Sequence, residues 1–258
     1  MKVSVHCELI SENNLLVRFG DQISEDLLDV IQEASLCAAK VFGCQLKDLV
    51  ASYTTLLIEF DPLLISPWKA QTAFQKAWDK HCLRMHTHAL KPIQSFQKAS
   101  ESCVEIPVYY HPSVAWDIER IAQQKGMTWQ QVADYHSQKE YRVYAVGFAP
   151  GFAFMGQIDP RLETPRQKSP RISVPAGSVA ISDLQTAVYP NQSPGGWNII
   201  GRSPAIFFDP ESSPAALLKT ADRVRFKPIS QKQFIHLGGC LKDISFAENK
   251  RGGESADE

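Results

Sequence analysis

Three glycine- and proline-rich segments in the second half of the chain carry side chains that could bind an anion. They are GFAPGFAFMG (147–156), TPRQKSPRISVPAGSVAI (164–181) and YPNQSPGGWNIIGRS (189–203). Glycine lets the backbone approach a ligand, proline restricts a loop, aromatic rings wall a pocket, and arginine binds carboxylate or phosphate through a planar fork. Together the segments predict a rigid, cationic, aromatic-lined pocket. The alternative is that the glycines and prolines only turn the corners of a β-barrel and that the arginines face solvent.

The candidate side chains form a catalytic set and a pocket set. The catalytic candidates are His136, Arg166, Arg171 and Arg202. The candidates for a substrate or nucleotide pocket are Phe148, Pro150, Gly151, Phe152, Pro175, Gly177, Ser178, Gln185, Tyr189, Gly195, Gly196 and Trp197. His136 could be a general base, because imidazole titrates near neutral pH, or a helix C-terminal histidine that the helix dipole favours.

Several other kinds of site are disfavoured. The run HCLRMHTH brings three histidines and Cys82 close together, but its spacing matches no metal-ligand pattern, so no metal is predicted. GxxxxGKS/T, GxSxG and HExxH motifs are absent, as is GxGxxG after a strand, so any ATP would be bound without a Walker motif. The formal net charge of −1 does not favour a nucleic-acid partner.

The first 90 residues contain none of these candidate side chains and are predicted to form an α/β domain. Two strand-like runs precede a helix from about Ser24 to Phe42, with Ser24 as its cap and Gly43 just past its end. Two more strands and a helix opened by Ser66 and Pro67 follow. This β-β-α-β-β-α order predicts one sheet with both helices on one face.

The three segments belong to a second predicted domain, residues 103–240, which follows a polar linker at 91–102. A strand and two short helices come first, the second helix opened by Thr128 and Gln131 in capping-box spacing. From Tyr141 onward, short apolar runs alternate with turn residues, a pattern typical of a β-barrel or sandwich. Residues 241–258 are predicted to be a polar tail. The scattered cysteines and the absence of an export signal or membrane span predict a cytoplasmic protein.

Longer stretches resemble the KipI / allophanate hydrolase subunit 1 family, which includes the PxpB component of the ATP-dependent 5-oxoprolinase. They are HSQKEYRVYAVGFAPGFAFMG, TPRQKSPRISVPAGSVAI, QTAVYPNQSPGGWNIIGRSP and FFDP. LLVRFGDQIS and SYTTLLIEFDP extend the resemblance into the first domain. The resemblance implies an α+β N-terminal domain of the ferredoxin-like sandwich type, followed by a cyclophilin-like β-barrel domain.

The resemblance also implies a function. It implies a cytoplasmic hydrolase subunit that works only in complex with an allophanate hydrolase subunit 2-type protein (PxpC/KipA) and a LamB/YcsF-type protein (PxpA). Such complexes open 5-oxo-L-proline to L-glutamate with Mg-dependent ATP hydrolysis. The alternative is a KipI-like inhibitor that binds a sensor histidine kinase. Neither function involves nucleic acid or a membrane.

At three positions the chain departs from the family pattern. TADRV carries Ala221 where the family has glycine, QTAVYP carries Ala187, and GFAFM carries Phe154 in place of tyrosine. The two alanines predict backbone without positive φ, since that conformation favours glycine. The missing hydroxyl weakens any catalytic role for the Phe154 ring.

Overall fold

The computed structural model describes residues 5–87 and 103–241. The chain divides into two compact units, unit 1 (Met1–Glu101) and unit 2 (Ser102–Glu258). The predicted linker at 91–102 and the predicted tail from residue 242 onward lie outside the described residues. The predicted domain boundaries therefore stay a prediction.

Unit 1 is a four-stranded antiparallel sheet with two helices. Its elements are β1 (His6–Leu9), β2 (Asn14–Arg18), α1 (Glu25–Phe42), β3 (Leu46–Ser52), β4 (Thr55–Phe60) and α2 (Pro67–Thr87). The sheet order is β1-β2-β4-β3. The element order is the one predicted from the sequence. It begins with a hairpin and so differs from the β-α-β-β-α-β order of ferredoxin-like folds.

Local signals in the sequence explain where α1 begins and ends. The Ser24 hydroxyl accepts the backbone N–H of Leu27 at 3.1 Å, and Gly43 ends the helix with a φ of 50°. Ile31 on α1 and Phe74 on α2 are fully buried in one core with Leu15 and Ile58 of the sheet. Both helices therefore pack on the same face of the sheet.

Unit 2 combines a larger sheet, a two-stranded ribbon and three short helices. Its elements are β5 (Val104–Val108), α3 (Ile118–Lys125), α4 (Trp129–Ser137), β6 (Glu140–Val146), β7 (Ala153–Gly156), β8 (Arg171–Val174), β9 (Ser178–Ser182), β10 (Gln185–Val188), β11 (Ser193–Gly195), β12 (Asn198–Arg202), β13 (Arg223–Pro228) and α5 (Gln231–His236). The predicted capping box of Thr128 and Gln131 opens α4.

The strands of the larger sheet follow the path β5-β13-β6-β7-β10-β9-β12. All neighbours are antiparallel except β5 and β13. The two ends of the path meet only at an isolated bridge between Tyr109 and Arg202. Within the described residues the sheet is therefore not a continuously closed barrel, in contrast to the barrel that the resemblance implies.

Alternation along the strands gives the sheet of unit 2 two apolar faces. Val179, Ile181 and Ile200 join the main core, to which α3 and α4 also contribute. Ala180 and Ile199 point to the opposite face, where a second apolar cluster includes several aromatic rings. This second face carries the candidate site.

Ala221 contradicts one expectation from the sequence, since its φ is 73°. The Ala221 N–H donates to the Val143 carbonyl at 2.7 Å, and its own carbonyl accepts the Arg142 Nε at 3.2 Å. These bonds at the edge of β6 hold the turn in the left-handed region although the residue is not glycine. Ala187 lies inside β10 without a positive φ, as predicted.

No helix in the two described stretches is both long enough and apolar enough to cross a membrane.

Candidate functional site

The second face of the unit 2 sheet carries a cluster of aromatic rings around Phe152. The Phe152 ring centroid lies 4.8 Å from Phe154, 5.4 Å from Tyr189 and 6.0 Å from Trp197. Phe152, Tyr189 and Trp197 are buried, while Phe154 is half-buried. We call Phe152, Phe154, Tyr189 and Trp197 the aromatic cluster. Edge-to-face contacts of this kind make a rigid apolar wall.

Phe148 lies at the rim of the cluster in an unusual backbone conformation. Its φ is 72°, which is costly for a bulky residue, and its side chain is 74% exposed. Its ring contacts Phe152 edge to face at 5.3 Å. The turn is held by a bond from the Gly147 N–H to the Phe152 carbonyl at 3.0 Å. The fold thus presents an aromatic ring to solvent above the cluster.

The local structure explains why residues 151 and 195 are glycines. Gly151 has a φ of 79°, and a Cβ there would lie 2.6 Å from the Phe207 carbonyl oxygen. A Cβ at Gly195 would collide with the Tyr189 hydroxyl, so this glycine makes room for a side chain of the cluster. At Gly196 the nearest atom would be 3.7 Å away. Pro150 is exposed in the same turn as Gly151.

Arg171 borders the cluster from the ribbon of β8 and β11, where it lies opposite Gly195. Its Nη1 donates to the Trp197 carbonyl at 3.3 Å, and its Nη2 donates to the Asp117 carboxylate at 2.8 Å. The guanidinium carbon lies 5.5 Å from the centre of the Trp116 ring. The side chain of Arg171 is only 12% exposed. Arg171 is therefore held in place at the edge of the face.

Arg166 is exposed on the neighbouring loop. The loop is tied to the ribbon because the Gln167 N–H donates to the Gly196 carbonyl at 2.8 Å. Burial raises the pKa of Tyr189, and the charges of Arg166 and Arg171 act in the opposite direction. The geometry places Arg171 at the edge of the aromatic cluster, through its bond to the Trp197 carbonyl, and places the loop that carries Arg166 beside Gly196 of the same ribbon.

A buried polar network supports this edge of the face. Asn198 is buried, and its Oδ1 accepts Arg120 Nη2 at 2.6 Å and Gln167 Nε2 at 2.9 Å. Asp117, also buried, accepts bonds from the same two side chains and from Arg171. The sequence patterns did not single out Asp117, Arg120 or Asn198. An Asp at the start of a helix is typical of an ordinary cap, and only the fold shows that it faces β12 instead.

Arg202 lies elsewhere, beside the turn at Gly177. Its Nε donates to the Ala176 carbonyl at 3.0 Å, and its Nη1 donates to the Cys240 carbonyl at 3.5 Å. Burial lowers its pKa. The predicted arginine set is therefore divided between two places in unit 2.

Four further pocket candidates remain, and three of them form the turn beside Arg202. Gly177 has a φ of 77°, and a Cβ there would collide with the Ser203 carbonyl oxygen. Pro175 and Ser178 are buried on either side of this turn. Gln185 opens β10, and by alternation it shares the face of Tyr189.

His136 does not suit a role as a general base toward a ligand. It is fully buried, and Thr186 Oγ1 lies 2.8 Å from its Nε2. The Thr186 hydroxyl donates to the Ala180 carbonyl, so it accepts from His136 Nε2–H. His136 Nδ1 then accepts from the Tyr110 hydroxyl at 2.7 Å. Both ring nitrogens are engaged, and burial lowers the pKa of His136 to about 3.

One histidine of the histidine-rich run of unit 1 contacts a carboxylate. His81 Nε2 lies 2.7 Å from the Glu33 carboxylate, and residue 88 is outside the described stretches. Over residues 5–87 and 103–241, no three His, Cys, Asp or Glu side chains converge as metal ligands would.

The fold and this face define a two-unit protein of antiparallel sheets and helices with a cationic aromatic surface on its second unit. Residues 5–218 match the family model of the carboxyltransferase domain, subdomains C and D, and the chain belongs to that family. The predicted relation to PxpB is confirmed by curated relatives that are named as the B component of 5-oxoprolinase.

The relative from Bacillus subtilis is 33% identical over 91% of this chain and 97% of its own length. The relative from Escherichia coli O157:H7 is 40% identical over 60% of this chain and 65% of its own length.

Solved structures extend the comparison. The protein designated TTHA0988 is 31% identical with a TM-score of 0.70, and the match covers 85% of this chain and 40% of that chain. This chain thus spans about two fifths of that longer protein. The Kluyveromyces lactis urea carboxylase shares the fold, with a TM-score of 0.64 and 16% sequence identity. The match covers 90% of this chain and 22% of that chain.

Proposed function

We propose that this chain is the PxpB component of an ATP-dependent 5-oxoprolinase complex and that the aromatic cluster with Arg166 and Arg171 forms its ligand site. The name of the Bacillus subtilis relative, which matches over almost its full length, supports the activity. The observation that carries the site is Arg171, bound to the Trp197 carbonyl at the edge of the buried aromatic cluster, with the Arg166 loop tied to the neighbouring Gly196. The proposal includes a multi-subunit assembly with subunit 2-type (PxpC/KipA) and LamB/YcsF-type (PxpA) partners in the cytoplasm.

The proposed reaction needs a site for negative charge. 5-Oxo-L-proline carries a carboxylate, and its lactam is stabilised by amide resonance. Transfer of the γ-phosphoryl group of Mg-bound ATP to the lactam oxygen would release ADP and activate the ring. Addition of water to the phosphorylated carbon and cleavage of its C–N bond, with protonation of the nitrogen, would open the ring to an acyl phosphate, and a second water would release L-glutamate and inorganic phosphate. Arg166 and Arg171 would bind the carboxylate or the phosphates through charge-assisted hydrogen bonds.

The aromatic side chains would take the apolar part of the same ligand. Phe148 is exposed at the rim and can stack on a flat ring, while Phe152 supports it from below. His136 has no part in this proposal, because both its ring nitrogens are engaged inside the core. Arg202 would act through the Gly177 turn that it binds rather than through the ligand.

The finer description of the fold is also part of the proposal. The sheet of unit 2, whose ends are joined within the described residues by the Tyr109–Arg202 bridge, would be an incompletely closed form of the cyclophilin-like barrel that the family resemblance implies.

Reconstitution tests the activity. The chain is co-expressed with its subunit 2-type and LamB/YcsF-type partners, and 5-oxoproline-dependent release of ADP and glutamate is measured. We expect turnover that requires all components. No turnover with the full set, together with tight binding to a sensor kinase and loss of its autophosphorylation, would favour the KipI-like function instead.

Substitutions in the reconstituted complex test the site. We expect Arg166→Ala to lower kcat/KM by about tenfold or more, since a hydrogen bond to a charged group contributes roughly 1.5–3 kcal/mol. The matched control is Arg225→Ala, which removes another exposed arginine of unit 2 that pairs with Glu140 at 3.5 Å. Equal kinetics for the two variants would remove Arg166 from the site.

A further inference from the structure

Asp117 has an environment that its position in the sequence does not suggest. It precedes α3 but makes no side-chain cap bond to that helix. Its Oδ2 accepts the Ile199 N–H at 2.7 Å, and its Oδ1 accepts Arg171 Nη2 at 2.8 Å, Gln167 Nε2 at 3.1 Å and Arg120 Nη2 at 3.4 Å. The residue is only 3% exposed. A desolvated carboxylate with such donors holds its partners firmly.

Asp117 restricts the Arg171 guanidinium most directly. Arg171 is fixed by Asp117 on Nη2 and by the Trp197 carbonyl on Nη1, and its guanidinium carbon lies over the Trp116 ring, 5.5 Å from the ring centre. A guanidinium has five N–H groups, and these two bonds occupy only two of them. The remaining donors therefore have a defined direction at the edge of the aromatic cluster.

The charges of the network do not balance. Arg120 and Arg171 bring two positive charges to a single carboxylate, that of Asp117. Gln167 and Asn198 add hydrogen bonds but no charge. The Ile199 bond alone would explain a link between α3 and β12, but it does not explain a second guanidinium. Because the Arg120 side chain is 39% exposed, solvent screens its charge, and an anionic group of a ligand would instead meet the unused N–H groups of Arg171, whose side chain is only 12% exposed.

We propose that Asp117 is a positioning residue, which holds Arg171 so that its remaining N–H groups meet the anionic group of the substrate. This rests on the proposed function for its ligand, a carboxylate or a phosphate. The two sources differ in the substrate that carries them, 5-oxoproline or ATP. Asp117 itself does not touch the ligand.

Kinetics of the reconstituted complex give the first test. Asp117→Asn keeps the shape of the side chain and removes its charge. We expect it to raise the KM of one substrate, 5-oxoproline or ATP, at least tenfold with a smaller change in kcat, and that substrate identifies the anion. The matched control is Asp222→Asn, a second buried carboxylate of unit 2, which accepts the Lys219 N–H at 2.9 Å. It should change either KM by less than twofold.

A double substitution separates positioning from a purely structural role. In an Arg171→Lys background the orientation of a guanidinium no longer matters, so adding Asp117→Asn should raise the KM less than twofold further. The same KM factor in both backgrounds, or no KM effect in the wild-type background, would overturn the proposal. If Asp117→Asn does not fold, Asp117→Glu moves the carboxylate by one methylene and should raise the same KM; an unchanged KM would again overturn it.

NMR of the full chain gives a readout that does not depend on activity. The Arg171 Nε–Hε signal should show slow guanidinium rotation in the wild type and fast rotation in Asp117→Asn. If the reconstituted complex has no turnover but this contrast is seen, the proposed function fails while the positioning of Arg171 stands. If rotation stays slow in the variant, Asp117 does not position Arg171, whatever the activity.

Discussion

The buried imidazole of His136 should make unit 2 less stable in mild acid. In the folded chain burial lowers the pKa of His136 to about 3, whereas an unfolded chain has a histidine pKa of about 6.5. Between these values only the unfolded state binds the proton. The free energy of unfolding therefore falls as the pH drops below about 6.5.

The size of the effect follows from proton linkage. With these two pKa values, His136 should remove about 2 kcal/mol from the free energy of unfolding between pH 7 and pH 5. Paired carboxylates add little in this window. The pKa of Asp159, for example, is lowered to about 2 by its bonds to Arg161, so its contribution is lost only in stronger acid.

Urea-dependent hydrogen exchange can measure this effect in unit 2 alone. Protection of the β10 amides, Gln185–Val188, reports the unfolding of that unit. His136→Gln provides the comparison, because its amide can accept from Tyr110 and donate to Thr186 but does not titrate. The stability difference between wild type and variant should shrink by about 2 kcal/mol from pH 7 to pH 5.

Two results would refute this reasoning. One is a wild-type stability that falls no more steeply with pH than that of His136→Gln, which would mean that the imidazole protonates inside the fold. The other concerns His236, an exposed histidine of α5. If His236→Gln changes the pH dependence of the free energy of unfolding as much as His136→Gln does, burial is not the cause.

Two glycine–alanine exchanges should have opposite outcomes in thermal unfolding. Ala221→Gly should stabilise the chain by roughly 0.5–1 kcal/mol, because it relieves the left-handed φ of 73°, whereas Ala187→Gly inside β10 should destabilise it; the same sign for both would contradict this. Gly195→Ala should cost about 1–3 kcal/mol, because its Cβ would collide with the Tyr189 hydroxyl. The control is Gly196→Ala, with space at 3.7 Å, and equal losses for the two adjacent glycines would disprove the packing explanation.

The elements of this protein were largely predictable from local signals. The Ser24 cap, Gly43, and the capping box of Thr128 and Gln131 mark helix ends with side-chain chemistry that acts within a few residues, and the structure has them where the sequence predicts. The convergence of the three glycine- and proline-rich segments was inferred from composition, and Phe152 and Trp197 do meet in one cluster.

Predictions from local sequence patterns were wrong where contacts with distant residues determine the conformation or the surroundings of a side chain. Ala221 adopts a positive φ because β6 supplies both of its hydrogen-bond partners. His136 lies in the last turn of a helix, as expected, but there it is buried against Thr186. Its ring therefore makes hydrogen bonds inside the core and does not face a ligand. Arg202 resembles Arg166 and Arg171 in its sequence context, yet it lies at the Gly177 turn.

Motifs, caps and periodicity are short-range properties, so the family, the order of the elements and the types of side chain available for an anion site could all be inferred from the amino-acid order. Which charges act together depends on the fold. Asp117 and Arg171 are 54 positions apart along the chain, and they meet because Asp117, just before α3, is bound to the Ile199 N–H of β12 while Arg171 reaches it from β8. Burial then makes the pair of Asp117 and Arg171 a fixed charged feature at the edge of the face.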